Sequence, residues 1–99
     1  MRLTEPQIKA IKHTAHAVLG EGTHVILFGS RVNDAAKGGD IDLLFTTPAN
    51  IDNPAQTVGR IYAQLVRQLG DQKIDILLKA PNLQPQPIHT MAEQNGIQL

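Results

Sequence analysis

FGSRVNDAAKGGDIDLLF, Phe28 to Phe45, sets two apolar runs on either side of a linker of small and polar residues. The first run, His24–Phe28 (HVILF), ends on Gly29-Ser30. The second, Ile41–Phe45 (IDLLF), begins among two aspartates, Asp40 and Asp42. A strand in a small domain buries at least one face, and an isolated carboxylate taken out of water costs several kcal/mol even after relaxation. Asp40 and Asp42 therefore stand at an exposed sheet edge or are kept there for chemistry.

Working outward, the chain supplies the partners this stretch needs. The segment LTEPQIKAIKHTAHAVLGEG predicts a helix. Thr4 is its cap, Gln7 completes a capping box, and Pro6 is tolerated in the first turn. Ile8, Ile11, Ala15, Val18 and Leu19 share one face, and Gly20 and Gly22 stop the helix. His24–Phe28 and Asp40–Thr46 read as strands. PAQTVGRIYAQLVRQLG reads as a second helix from Pro54 to Gly70, with Val58, Ile61, Leu65 and Leu69 as its stripe. Lys73–Lys79 (KIDILLK) is a third strand, and QPIHTMAEQNG a short last helix that leaves IQL as a tail. The order is α-β-(short turn or helix)-β-α-β-α, a single α/β domain over residues 1–99 built on a small mixed sheet.

Composition narrows the function classes. The chain has 99 residues, no cysteine and a formal net charge of +0 at pH 7. One modest core fits that length. There is no disulfide framework and no thiolate metal site. The basic residues form no stripe, so direct nucleic-acid binding is not expected. No apolar run approaches the ~18 residues of a membrane span, and the polar start MRLTEPQIKA does not read as a signal peptide, so a cytoplasmic protein is the expectation.

Alternation along a strand places Asp40 and Asp42 on one face, about 7 Å apart, with Ile41, Leu43 and Phe45 on the other. Asp75 interrupts the third strand between Ile74 and Ile76 in the same way. A full helix joins the second and third strands, which predicts a parallel, right-handed crossover and brings Asp75 beside the first two acids. The short link between the first and second strands predicts an antiparallel pair, which puts Gly29-Ser30 at the same edge.

Three crowded carboxylates repel one another unless a cation neutralises them. All-oxygen ligation suits Mg²⁺ or Mn²⁺, and two such ions ~3.5–4 Å apart can serve an in-line phosphoryl displacement. Gly29 lets backbone approach a phosphate, and Ser30 offers a hydroxyl and an amide. Arg31 either reaches the same phosphates or braces the acidic edge.

Gly29-Ser30-Arg31, Asp40-Ile41-Asp42-Leu43 and Ile74-Asp75-Ile76 together resemble the polymerase-β-type nucleotidyltransferase superfamily, and in particular its stand-alone minimal (MNT) members. The resemblance runs the length of the chain, through the closing NGIQL. It implies Mg²⁺-dependent transfer of a nucleoside monophosphate, AMP from ATP above all, to a hydroxyl, with two metal ions. Asp40, Asp42 and Asp75 would be metal ligands and catalytic residues, and Gly29, Ser30 and Arg31 would hold the nucleotide phosphates. It also implies a small helical HEPN-type partner in a toxin–antitoxin pair, because the chain ends about where larger members begin the domain that covers the base and presents the acceptor. The sequence departs from the GSRARG pattern of many minimal members: Val32-Asn33-Asp34 follows Arg31, and Gly39 stands where a serine precedes the first aspartate. Asp34 adds negative charge near a triphosphate.

Two other readings stand beside this one. The acids can be charges that keep an edge strand from pairing with other chains. The fold can also be a binding module that neutralises a helical partner by docking alone. The remaining polar residues carry less: AAKGGD around Lys37 is not a P-loop, His13 and His16 read as a solvated helix face, Arg60 and Arg67 as a solvated flank, and Tyr62 as half-buried helix packing.

Overall fold

The computed structural model describes residues 1–33 and 39–99. Asp34 and Lys37 lie outside the described residues.

Local sequence decides where the helices start and stop. Helix α1 runs Glu5–Leu19, and the capping box is formed: Gln7 N donates to Thr4 Oγ1 at 3.3 Å and Thr4 N to Gln7 Oε1 at 2.8 Å. These bonds satisfy amides that no helical carbonyl reaches. Helix α2 runs Pro54–Leu69 and is capped by Asn53, whose Oδ1 accepts from Gln56 N at 3.1 Å. Helix α3 runs Pro87–Asn95. Each begins with proline in its first turn, where a missing amide hydrogen costs nothing.

The strands are β1 (His24–Phe28), β2 (Ile41–Thr46), β3 (Ile74–Lys79) and β4 (Ile97–Gln98), in one sheet of order β3-β2-β1-β4. A 3-10 turn, Gly29–Val32, follows β1. β1 pairs antiparallel with β2, and β2 pairs parallel with β3 across the α2 crossover, as expected. The tail is the exception: Ile97–Gln98 is an edge strand antiparallel to β1, and Leu99 N donates to Val25 O at 2.9 Å. Gly96 makes this possible, since a methyl group there would stand 2.8 Å from Leu27 O and collide with Ile26.

One face of the sheet carries the main core. Ile11 and Ala15 of α1, Ile61 and Leu65 of α2, and Val25, Leu27, Ile41, Leu43, Phe45, Ile74 and Leu78 of the strands pack together. The other face carries a smaller cluster in which Phe28 and Leu44 meet Ala92 of α3, with Ile26 and Leu77 at its margin. The main core anchors β2 between two neighbours and fixes its register, because a one-residue slip would turn Ile41, Leu43 and Phe45 outward. Among the described residues no helix is long and apolar enough to cross a membrane.

Candidate functional site at the β1–β2–β3 edge

The register of the sheet assembles the site. Asp42 lies between Phe28 of β1 and Asp75 of β3, and Ile41 lies opposite Ile74. The triplets Asp40-Ile41-Asp42 and Lys73-Ile74-Asp75 thus run side by side in the same direction. Their isoleucines enter the main core, and their charged residues emerge on the α3 face of the sheet.

Asp42 is half-buried and Asp75 is exposed. Burial, the largest influence, pushes the Asp42 carboxyl above the ordinary carboxylate range. A side-chain hydrogen bond with Asp75 and the negative charges of Asp75 and Asp40 act in the same direction, and Lys73 opposes them. Asp42 shares its face of the sheet with Phe28, its partner on β1, and with Leu44 two residues on. The two carboxyl groups are held side by side by the backbone ladder, where only a proton or a cation between them relieves the repulsion.

Gly29 shapes the other wall. Its φ of 76° is left-handed, and a methyl group built on it would run into the Asp42 carboxylate, with Asp42 Cγ at 3.1 Å. The absent side chain therefore serves two ends: the chain turns out of β1, and Asp42 keeps its position against the turn. Ser30 O accepts from Arg2 Nη2 at 3.1 Å and from Asn33 N at 3.2 Å, while no hydrogen bond among the described residues engages the Ser30 hydroxyl.

Arg31 takes the bracing arrangement of the two open to it. Nη1 donates to Arg2 O at 2.9 Å, and Nη2 donates to Gly39 O at 2.9 Å and to Gln72 Oε1 at 3.4 Å. Its Nε is buried with no partner among the described residues. The guanidinium ties the chain's first residues to the approach to β2, and a phosphate contact would require it to release these carbonyls. Asp40 is directed at Lys73, with Oδ2 3.4 Å from Nζ. Both side chains are well exposed, so the ion pair adds little stability and either group can swing away. Among the described residues no group of three acidic or histidine side chains stands ready-made for an ion.

Beside Asp40 opens a cleft of about 470 Å³, lined by Gln7, Arg31, Gly39, Asp71, Gln72 and Lys73. Sequence reasoning missed Lys73 and Gln72 as part of this edge. The signal for Lys73 was present: once β2 and β3 are taken as parallel with Asp42 beside Asp75, Lys73 falls beside Asp40. Nothing comparable marked Gln72, which reaches the edge from the turn after α2.

No protein-family model matches the chain, and no curated protein does. Asp42 and Asp75 give an all-oxygen donor set with surplus negative charge and a carboxyl that ionises reluctantly. That set suits a hard divalent cation such as Mg²⁺ or Mn²⁺, and Asp40 would join it on leaving Lys73. Asp75, exposed beside the half-buried Asp42, is open to a group arriving from solvent.

Proposed function

We propose that this domain is a Mg²⁺- or Mn²⁺-dependent nucleotidyltransferase that moves a nucleoside monophosphate, AMP from ATP, onto a hydroxyl of a partner protein. The observation that carries the reading is the register of Asp42 beside Asp75, with Gly29 left bare against the Asp42 carboxylate. A side chain at position 29 would displace the Asp42 carboxylate from its place beside Asp75, and its absence lets a phosphate approach the backbone of the turn.

Asp40, Asp42 and Asp75 would hold the cations, whose contribution is to neutralise charge on the phosphates during displacement. Gly29 and the amide and hydroxyl of Ser30 would receive the phosphate chain. Asp75 would accept the proton of the attacking hydroxyl. The new bond joins that oxygen to the α-phosphorus as the bond to pyrophosphate breaks. The acceptor in this reading is a small helical protein of the HEPN type, the domain acting as the antitoxin of the pair in the cytoplasm, where ATP is supplied. The resemblance of the GSR, DID and IDI segments supports that part.

A second reading is favoured by one specific pair of contacts. Arg31 is occupied with carbonyls and Asp40 with Lys73, an arrangement that suits a domain which neutralises its partner by docking without transfer. The deciding experiment is transfer of labelled nucleotide from each NTP onto the co-purified partner, run beside a pull-down. Wild type should transfer; Asp75→Asn should bind the partner and lose transfer. Binding and neutralisation by wild type with no transfer under Mg²⁺ or Mn²⁺ would leave the docking reading in place.

A further inference from the structure

β3 stands at one edge of the sheet, and its outer side carries a row of backbone groups. Ile41 N donates to Lys73 O at 3.0 Å and Thr47 N to Lys79 O at 2.9 Å. In a parallel ladder alternate residues of a strand bond to the same neighbour. Residues 73, 75, 77 and 79 therefore direct their backbone groups toward β2, and Ile74, Ile76 and Leu78 direct theirs outward. Among the described residues no backbone group outside the sheet bonds to that outward row. Beside it runs a groove of about 310 Å³ lined by Pro54 and Val58 of α2, by Ile76, Leu77 and Leu78, and by Leu83.

We propose that two copies of the domain pair antiparallel through β3 about a twofold axis at Leu77, joining two four-stranded sheets into one. The register follows from two requirements. Outward-facing residues must meet outward-facing residues, which restricts the axis to a residue of the strand. Charges must then not oppose like charges, and the apolar residues of β3 must not oppose charged ones. An axis at Asp75 or at Lys79 sets that side chain against its own copy. An axis at Ile76 sets Lys73 against Lys79, one at Leu78 sets Lys79 against Leu77, and one at Ile74 sets Leu77 against Asp71. An axis at Leu77 puts Asp75 opposite Lys79 of the second copy, twice, and Ile76 opposite Leu78, twice.

Each part of that arrangement has a physical use. The Ile76–Leu78 pairs are hydrogen-bonded pairs that employ the open amides and carbonyls. The Asp75–Lys79 pairs fall at the closer, non-hydrogen-bonded positions, where opposite charges contribute most. Lys79 is available to both sides: it already holds Glu93 at 2.8 Å, and its side chain keeps 37% of its exposure. Pro81 limits the pairing at one end, because it has no amide to donate. The pairing does not rest on the transferase reading, but it uses Asp75, so a cation held at the acidic edge and Lys79 of the second copy compete for the same carboxylate.

Sedimentation of the wild-type protein over a range of concentrations tests it, together with amide exchange at low and high concentration. The expected result is a monomer–dimer equilibrium in which the amides of Ile76 and Leu78 gain protection as dimer forms. Asp75→Lys and Lys79→Asp, each alone, should weaken the dimer at least about tenfold, since both pairs become like-charged. Mixing the two variants should restore association, because every facing pair is then opposite in sign. A wild type that stays monomeric, a dimer indifferent to both reversals, or folded variants that fail to associate on mixing would each overturn the proposal. Protection of the same amides only by an added extended peptide would overturn the second copy as occupant. Should either variant fail to fold, unprotected Ile76 and Leu78 amides in the wild-type dimer would overturn it on their own.

Discussion

Replacing Asp42 with asparagine should stabilise the ligand-free protein at neutral pH and leave it unchanged in acid. Neighbouring strands lie ~4.8 Å apart, and the side-chain hydrogen bond between Asp42 and Asp75 draws the two carboxyls together, so their charge centres stand roughly 4–5 Å apart. At an effective dielectric of ~20 two like charges at that separation repel by about 3–4 kcal/mol, and in bulk water by about 1. Asp75 is exposed and Lys73 opposes the repulsion, so the lower end applies. The side-chain amide introduced by Asp42→Asn can still donate to Asp75. The expected gain is about 1 kcal/mol, or ~4–8 °C in Tm for a domain of this size. The sign of the pH dependence follows from linkage. The folded state holds the Asp42 proton more tightly than the unfolded chain, so the wild type binds more protons when folded. Its penalty is absent below the ordinary aspartate value of about 3.9, grows as pH rises toward the raised folded value, and is complete above it. Urea unfolding of both proteins from pH 3 to 8 reads this as a stability difference that opens with pH. Excess Mg²⁺ or Mn²⁺ with an NTP should reverse the order, by stabilising the wild type and not the variant. An Asp42→Asn protein less stable than wild type at pH 7, or a difference that does not vary with pH, would refute the reasoning.

Gly29→Ala should lose about 1–2 kcal/mol by denaturant unfolding, from its left-handed backbone alone. It should lose metal-dependent thermal stabilisation more completely, since the methyl group displaces the Asp42 carboxylate. Arg31→Lys keeps the charge but cannot span Arg2 O and Gly39 O together. It should cost about 1–2 kcal/mol and raise amide exchange at the start of the chain. No loss of stability would show that the guanidinium contacts do not hold these segments.

The strand pairing and the meeting of Asp42 with Asp75 were legible because they rest on two strong regularities: the period of two along DIDLLF and IDILL, and the single handedness of a crossover containing a helix. What was not legible rests on groups without a sequence signature. Ile97–Gln98 is too short to show a period, and it joins the sheet only because Gly96 leaves room against Leu27 O. Arg31 was read with two uses, and backbone carbonyls of Arg2 and Gly39 decide between its contacts; any residue could have supplied those acceptors. The reluctance of Asp42 to ionise depends on its partial burial and on Asp75 beside it, the second a matter of register across two strands.

The α2 crossover also has a consequence in time. β1 and β2 are joined by a short link, so loop-closure entropy favours their meeting early, and Asp42 then has no acidic neighbour across the ladder. Asp75 arrives only when α2 has folded back and β3 docks. Two negative charges are thus brought together only in the step that closes the β2–β3 ladder and completes the main core with Ile74 and Leu78. An interaction formed late is absent from the folding barrier and is felt when the structure opens. The repulsion at this edge therefore shortens the life of the folded state more than it slows its formation, and a cation bound there would act as a latch on β3.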